Sequence, residues 1–200
     1  MNAVPTQTTM PDVRANDGEA TGIVGISGHV SMPSRTLWLV EHLVARLAAA
    51  TGVPGRVHAV IDDPADLGAT LAREHASARL EGVLHDIEAS TALVVVTPVY
   101  KGSYAGLFKH LIDLVDMKAL AGRPVIVAAT GYSERHAGVI DHALRPLFAF
   151  FGAVVMPTGV YAGKADIDEQ HRPGPALEAA IGGAIAQAAH AVAAARPNLN

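Results

Sequence analysis

The chain has 200 residues, half of them hydrophobic, and its 15 Lys and Arg residues against 19 Asp and Glu residues give a net charge of -4. This length can bury the core of one α/β domain, and the mild negative charge argues against nucleic acid as a partner. The chain contains no cysteine, which excludes disulfides, thiolate metal sites and a cysteine nucleophile.

The first 20 residues are polar, contain proline and have no hydrophobic period. Such a segment buries too little apolar surface to offset the entropy of ordering, so we predict a disordered tail over residues 1–20 and a single domain over residues 21–200. No apolar run approaches the roughly 20 residues of a membrane-spanning helix, and the N-terminus lacks the pattern of a signal peptide. We therefore expect a cytoplasmic protein.

Short apolar segments alternate with segments of helical period along the rest of the chain. Strands are predicted at residues 23–26, 57–61, 92–96, 125–129 and 154–160, the last interrupted by Pro157. Helices are predicted at residues 37–47, 80–87, 104–115 and 139–151, with an alanine-rich final helix ending near residue 195. The segment 64–77 has no legible pattern. The alternation predicts a parallel sheet covered by helices on both faces, with right-handed crossovers.

The most informative stretch runs from Thr91 to Asp113. Its apolar run over residues 92–96 is continuous, which is typical of a central parallel strand covered on both faces. Pro98 cannot donate a hydrogen bond to a neighbouring strand, so the strand should stop there. The loop that follows, residues 98–103, then lies at the carboxyl edge of the sheet, where open α/β folds bind their ligands.

Three loops follow apolar strands and are rich in small polar residues, at residues 27–36, 97–103 and 130–136. If the first, third and fourth strands are neighbours, these loops converge on one crevice. The first loop combines serine hydroxyls, Arg35 and the start of a helix, which favours an anion such as a terminal phosphate. The alternative is that Ser34 only caps the helix and that Arg35 lies in solvent. Neither a dinucleotide-binding glycine motif nor a P-loop is present.

Other catalytic chemistry has little support in the sequence. The ten histidines show no metal-ligand spacing, and Ser133 with His136 lacks the G-x-S-x-G environment of a hydrolase nucleophile. Tyr100 and Tyr132 either present their rings to a planar ligand or belong to the core. Lys101 is expected in solvent. We therefore predict no metal site and no catalytic acid–base pair.

Three segments resemble the NAD(P)H-dependent FMN reductases of two-component, alkane- or methanesulfonate-type monooxygenase systems: SGHVSMPSRT, TPVYKGSYAGLFKHLID and ATGYSERHAGVIDHALRPLFAFFGA. The resemblance extends over residues 23–161 and implies a flavodoxin-like three-layer fold with a five-stranded parallel sheet of order 2-1-3-4-5. It further implies FMN as cofactor or co-substrate, NADPH or NADH as hydride donor, and a separate flavin-dependent monooxygenase that receives the reduced flavin.

The same resemblance implies ten FMN-binding residues. The phosphate would be held by Ser27, Ser34, Arg35 and Thr36. The ribityl chain and ring would lie against Pro98, Val99 and Tyr100, and the other ring edge against Thr130, Gly131 and Tyr132. Tyr132 stands where family members often have a second glycine. No catalytic side chain is expected, because hydride transfer needs stacking geometry and the cofactor carries the chemistry.

The sequence leaves two other functions open and also predicts an oligomer. The first alternative is an enzyme that binds FMN tightly and reduces quinones or azo dyes. The second is a flavodoxin-type electron carrier, but such carriers are strongly acidic and flank the flavin with aromatic side chains, whereas Trp38 lies in the first helix. The segment 104–115 has more apolar residues than one core-facing stripe needs, which suggests a homodimer or homotetramer contact. The resemblance places a local π-bulge at Tyr104.

Overall fold

The computed structural model describes residues 22–195, so the predicted tail over residues 1–20 lies outside the described residues. The strands are β1 (Ile23–Ser27), β2 (Gly55–Ala59), β3 (Ala92–Pro98), β4 (Pro124–Thr130), β5 (Val154–Val155) and β6 (Val160–Ala162). All the paired strands are parallel, and the sheet order is β2-β1-β3-β4-β5, with β6 also paired to β4. This order confirms the predicted flavodoxin-like sheet.

Helices cover both faces of the sheet and complete a three-layer fold. The helices are α1 (Arg35–Thr51), α2 (Pro64–Ala69), α3 (Ala78–Glu88), α4 (Gly106–Asp113), α5 (Arg145–Phe150) and α6 (Pro175–Ala195). One apolar core joins the sheet to α1 and α6, and the other joins it to α2, α3, α4 and α5. Short 3-10 turns at Arg73–His75 and Glu134–His136 and a π-helical turn at Ile140–Leu144 connect these elements.

The central strands β3 and β4 place the candidate site. Every residue of β4 is buried, and so is every residue of β3 except the last, as the continuous apolar runs predict. Side chains alternate between the two cores, with Leu93 facing one and Val94 the other. Pro98 ends β3 opposite Thr130, the last residue of β4. The loops after β1, β3 and β4 therefore leave the sheet at the same edge.

The fifth predicted strand is divided into two short strands. β5 pairs with the start of β4 and β6 with its end, so both occupy the same edge position. Pro157 lies between them and has no N–H for a ladder hydrogen bond, which accounts for the break. The second strand begins and ends two residues earlier than predicted, because Gly55–Ala59 pairs residue for residue with Ile23–Ser27 of β1. The illegible segment 64–77 contains α2, whose N-terminus is capped by Asp63.

Helix α4 leaves less apolar surface than its sequence suggests. The side chains of Phe108, Leu111, Ile112, Leu114 and Val115 are all buried within the subunit. The predicted oligomer contact through residues 104–115 thus loses the excess of exposed apolar residues on which it was based, and it stays a prediction from the resemblance.

The prediction of a π-bulge at Tyr104 was wrong. α4 begins at Gly106 and is regular, whereas the widened turn lies at Ile140–Leu144. It ends two residues before Pro146, which has no N–H and whose ring crowds the carbonyl four residues earlier. A turn with hydrogen bonds five residues apart, such as Arg145 N–H to the carbonyl of Ile140, accommodates that proline.

Helix α6 is long and apolar enough to cross a membrane by length and composition, contrary to the expectation from the sequence. Its inward side chains are buried in the core shared with α1. Arg46 of α1 also pairs with Glu178 of α6 at 2.6 Å. The buried residues of α6 are Leu177, Ile181, Ala184, Ile185, Ala188 and Val192.

Candidate active site

A crevice of about 210 Å³ lies at the carboxyl edge of β1, β3 and β4. All three polar loops contribute to it, and nine of the ten residues predicted to bind FMN line it, Ser27 being the exception. Its lining residues are His29, Val30, Ser31, Pro33, Ser34, Arg35, Thr36, Pro98, Val99, Tyr100, Thr130, Gly131 and Tyr132.

Ser27 lies beneath the crevice, and its side chain is fully buried. Its Oγ is 2.8 Å from Nδ1 of His29, which is 3% exposed and does line the crevice. Burial lowers the pKa of His29, and the carboxylates of Asp62 and Glu41 oppose that shift. The imidazole is therefore neutral at pH 7. Ser27 fixes a neutral histidine in the crevice, a role that its sequence context does not reveal.

The N-terminus of α1 forms one end of the crevice. Ser34 is the N-cap, and its Oγ accepts the N–H of Leu37 at 3.1 Å, as the capping alternative predicted. The amides of Arg35 and Thr36 belong to the first helical turn, whose N–H groups have no intrahelical acceptor. No acidic residue lies in that turn, so the positive end of the helix dipole is not neutralised locally.

Arg35 is held in the crevice wall. Its Nη1 donates to the carbonyl of Gly163 at 2.9 Å, and its guanidinium carbon lies 6.0 Å from the ring centroid of Tyr132. The Nζ of Lys164 lies 5.8 Å from the same ring. Arg35 is therefore partly buried and anchored, and Lys164 adds a second cation at the rim. Sequence reasoning missed Gly163 and Lys164, because only the pairing of β6 with β4 brings their loop to the crevice.

The loop that carries Lys164 is anchored on α1 through aromatic rings. Trp38 stacks on His42 with centroids 5.0 Å apart, and its ring lies 6.1 Å from that of His171. Burial lowers the pKa of His42, with a smaller contribution from nearby Arg46. The segment 163–174 thus packs across the start of α1 and forms one side of the site.

Hydrogen bonds join the three loops to one another. The hydroxyls of Thr36 and Thr130 lie 2.6 Å apart, and both residues are buried. The N–H of Val99 donates to the carbonyl of Thr130 at 2.8 Å. Each loop is therefore fixed by hydrogen bonds to its neighbour.

Gly131 is required by the close approach of Tyr161. A Cβ at Gly131 would lie 2.3 Å from the Tyr161 hydroxyl, far inside van der Waals contact. That hydroxyl donates to the carbonyl of Ser133 at 2.6 Å, while Gly131 N–H donates to the carbonyl of Ala162 at 3.0 Å. Burial raises the pKa of Tyr161, and Glu134 adds to the shift. The hydroxyl is thus a neutral donor that fixes the loop after β4.

The two candidate tyrosines lie on the open side of the crevice. Tyr100 is 46% and Tyr132 is 78% exposed, so neither is a core residue. Tyr100 and Ser103 exchange both backbone hydrogen bonds, at 2.8 and 3.0 Å, in a tight turn with Lys101 and Gly102 at its tip. Both tip residues have positive φ, 51° and 81°. Lys101 is exposed, as expected.

The residues of this crevice fit FMN. Helix amides, serine hydroxyls and Arg35 are the donors that a phosphate dianion requires. Pro98, Val99 and Tyr100 offer the apolar, backbone-rich wall that suits a flat ring. Among residues 22–195, no three His, Asp or Glu side chains are grouped as metal ligands.

Comparisons with known proteins show the family to which the chain belongs. The model of the NADPH-dependent FMN reductase family matches residues 21–167. Over 159 residues the chain is 50% identical to an FMN reductase (NADPH) from Pseudomonas aeruginosa, covering 80% of this chain and 86% of that relative. It is 46% identical over 159 residues to the NADH-dependent FMN reductase SfnF from Pseudomonas fluorescens, covering 80% and 85%.

Solved structures give the same result. An X-ray structure of an oxidoreductase from Corynebacterium diphtheriae superimposes with a TM-score of 0.78 at 33% identity, over 87% of this chain and 97% of that one. The family match covers well over half of the chain and includes all three loops of the crevice. The chain therefore belongs to the NADPH-dependent FMN reductase family.

Proposed function

We propose that this protein is a cytoplasmic reductase that transfers a hydride from NADPH or NADH to FMN and releases reduced FMN to a separate flavin-dependent monooxygenase. The observation that carries the proposal is the crevice, which combines a helix N-terminus and Arg35 at one end with an apolar wall at Pro98 and Val99. Family membership supports the activity, and relatives named for NADPH and for NADH leave both donors open.

In this function the chain binds and orients its substrates. The first-turn amides of α1 and the anchored guanidinium of Arg35 hold the phosphate, and the bonded pair Thr36–Thr130 keeps that end aligned with the ring wall. His29 offers a nitrogen to the crevice without adding a charge. Bound FMN supplies the hydride acceptor. The exposed side at Tyr100 and Tyr132 leaves room for a nicotinamide to approach.

We expect the reduced flavin to be released because few aromatic side chains would hold its ring. Apart from the His29 imidazole, Tyr100 and Tyr132 are the only aromatic side chains among the crevice residues, and both are substantially exposed. Similar affinities for oxidised and reduced FMN would leave exchange free, because only differential affinity traps one state.

Turnover with free flavin tests this proposal. NADPH oxidation should depend on the concentration of added FMN and saturate, and a partner oxygenase should work across a membrane that passes small molecules. If FMN stays bound through gel filtration and repeated turnover, and quinones are reduced without free flavin, the protein is instead a tightly bound flavoenzyme that reduces quinones or azo dyes.

The assembly is part of the same proposal. A homodimer or homotetramer through residues 104–115 is supported by the resemblance. Sedimentation at micromolar concentration tests it, and a monomer would contradict it.

A further inference from the structure

A second cavity, of about 380 Å³, lies between the edge strand β2 and helices α2 and α3. It shares no lining residue with the flavin crevice. Its volume falls in the range of about 300–1,000 Å³ that is typical of small-molecule sites. Five large apolar side chains, from three helices and the turn after β2, line it: Val60, Leu67, Leu80, Val83 and Leu111.

Gly82 keeps one side of this cavity open. It lies in the middle of α3, where glycine is less favourable than any other residue except proline. A Cβ at this position would meet no atom within 4 Å, and φ is not positive. Neither the backbone nor packing within the subunit therefore requires glycine here. What the missing side chain preserves is space in the cavity.

The rim of the cavity carries more negative than positive charge. Four carboxylates line it, three of them around the start of α2. The basic groups among the lining residues are one arginine and two histidines. These titratable residues are Asp62, Asp63, Asp66, Asp86, Arg79, His58 and His85.

Two of the four carboxylates are paired with cations or histidine. Asp63 pairs with Arg79 at 3.3 Å, and Asp86 pairs with Arg56 at 3.0 Å and with His58 at 2.9 Å.

The other two carboxylates have neutral hydrogen-bond donors. Asp62 accepts the N–H of Ala59 at 2.9 Å, and Asp66 accepts the Ser77 hydroxyl at 2.5 Å. Neither of these two contacts is with a basic residue, and both carboxylates lie beside the apolar lining of the cavity. This arrangement suits a ligand with an apolar body and a positive head.

We propose that this cavity binds small amphipathic cations, specifically primary ammonium compounds with a compact aliphatic or aromatic body. The apolar body occupies the space beside Gly82, Leu80 and Leu111, and the ammonium group pairs with Asp62 or Asp66 at the rim. The site is separate from the proposed reductase site and does not depend on it.

A three-probe titration tests the charge and shape requirements. 2-Phenylethylammonium, 2-phenylethanol and phenylacetate share a ring and differ in the charge of the head group. Followed by amide shifts in 1H–15N spectra, the ammonium should bind saturably to residues of α3 and the start of α2, about tenfold more tightly than phenylacetate, with the alcohol between them. Equal binding of the ammonium and phenylacetate would overturn the proposed charge selectivity.

Two sets of variants locate the binding. Gly82→Leu fills the cavity and should weaken binding of the ammonium at least tenfold, whereas Gly182→Leu, at a helical glycine of α6 that also has no neighbour within 4 Å, should leave it unchanged. The double variant Asp62→Asn/Asp66→Asn should weaken the ammonium and spare the alcohol. FMN reduction by each variant reports that it is folded.

Three results contradict the site. The first is the absence of saturable shifts with the ammonium up to its solubility limit. The second is undiminished binding by a Gly82→Leu protein that still reduces FMN. The third is that shifts at α3 follow protein concentration instead of probe concentration, which would mean that a second copy of the chain covers the cavity.

Discussion

Replacing Arg35 by alanine should weaken FMN binding through the loss of one charged phosphate contact. The guanidinium is already oriented by its 2.9 Å bond to the carbonyl of Gly163 and by the Tyr132 ring. A hydrogen bond to a charged group contributes about 1.5–3 kcal/mol, which corresponds to an increase of roughly 13- to 160-fold in the Kd of FMN. Arg35→Lys should fall between, because it keeps the charge and loses the fork geometry.

The assay is a fluorescence titration with FMN and with riboflavin, which has no phosphate. Riboflavin affinity should be nearly the same in Arg35→Ala and the parent, so the two flavins separate a phosphate contact from general damage. Arg46→Ala is the matched control, because it removes an arginine of the same helix that pairs with Glu178 away from the crevice. It should bind FMN as the parent does.

Two outcomes would refute this reasoning. If Arg35→Ala binds FMN as tightly as the parent, Arg35 does not hold the phosphate. If FMN and riboflavin weaken by the same factor, Arg35 acts by fixing the loop at Gly163 and not by contacting the ligand.

Three further predictions concern the walls of the crevice. Gly131→Ala should lower the Tm and weaken FMN binding by displacing the Tyr161 hydroxyl, and adding Tyr161→Phe should restore much of the Tm; no recovery in thermal melts would contradict the clash. Thr130→Val should destabilise the fold by about 1–3 kcal/mol in urea denaturation, because it leaves the Thr36 hydroxyl buried and unpaired. A double variant with Thr36→Val should lose less free energy of unfolding than the sum of the losses in the two single variants. Burial lowers the pKa of His29, so below about pH 6.5 the unfolded chain binds more protons than the folded protein does. The free energy of unfolding should therefore fall as pH drops from 7 towards that lowered pKa, and His29→Asn should flatten this dependence. An equal slope in both proteins would count against it.

The sheet could be predicted from the sequence because its strongest signals are local. The continuous apolar run of β3 and the stop at Pro98 need no knowledge of the rest of the chain, and the sheet order followed from the family resemblance. What periodicity does not show is how many neighbours cover a helix. The apolar residues of the segment 104–115 looked too numerous for one core-facing stripe, yet Leu114 and Val115, just after α4, are buried within their own subunit.

In the candidate site, too, the sequence predicts residue types and the fold decides their contacts. Residue type indicated which side chains can form hydrogen bonds, but not with which partners. Ser27 bonds to His29, and Thr36 bonds to a threonine 94 positions later. Lys164 gives no signal of its own, since a lysine in a polar loop is most often solvated. Only the tertiary arrangement brings it near Tyr132.

The position of Trp38 gives the protein an internal optical probe. It is the chain's one tryptophan, and its ring lies between helix α1 and His171 of the segment that carries Gly163 and Lys164. Movement of that segment changes the surroundings of a single indole, so the emission spectrum reports on one side of the crevice without a contribution from other tryptophans. Stopped-flow emission of the unlabelled protein can therefore test whether that side moves while flavin enters and leaves.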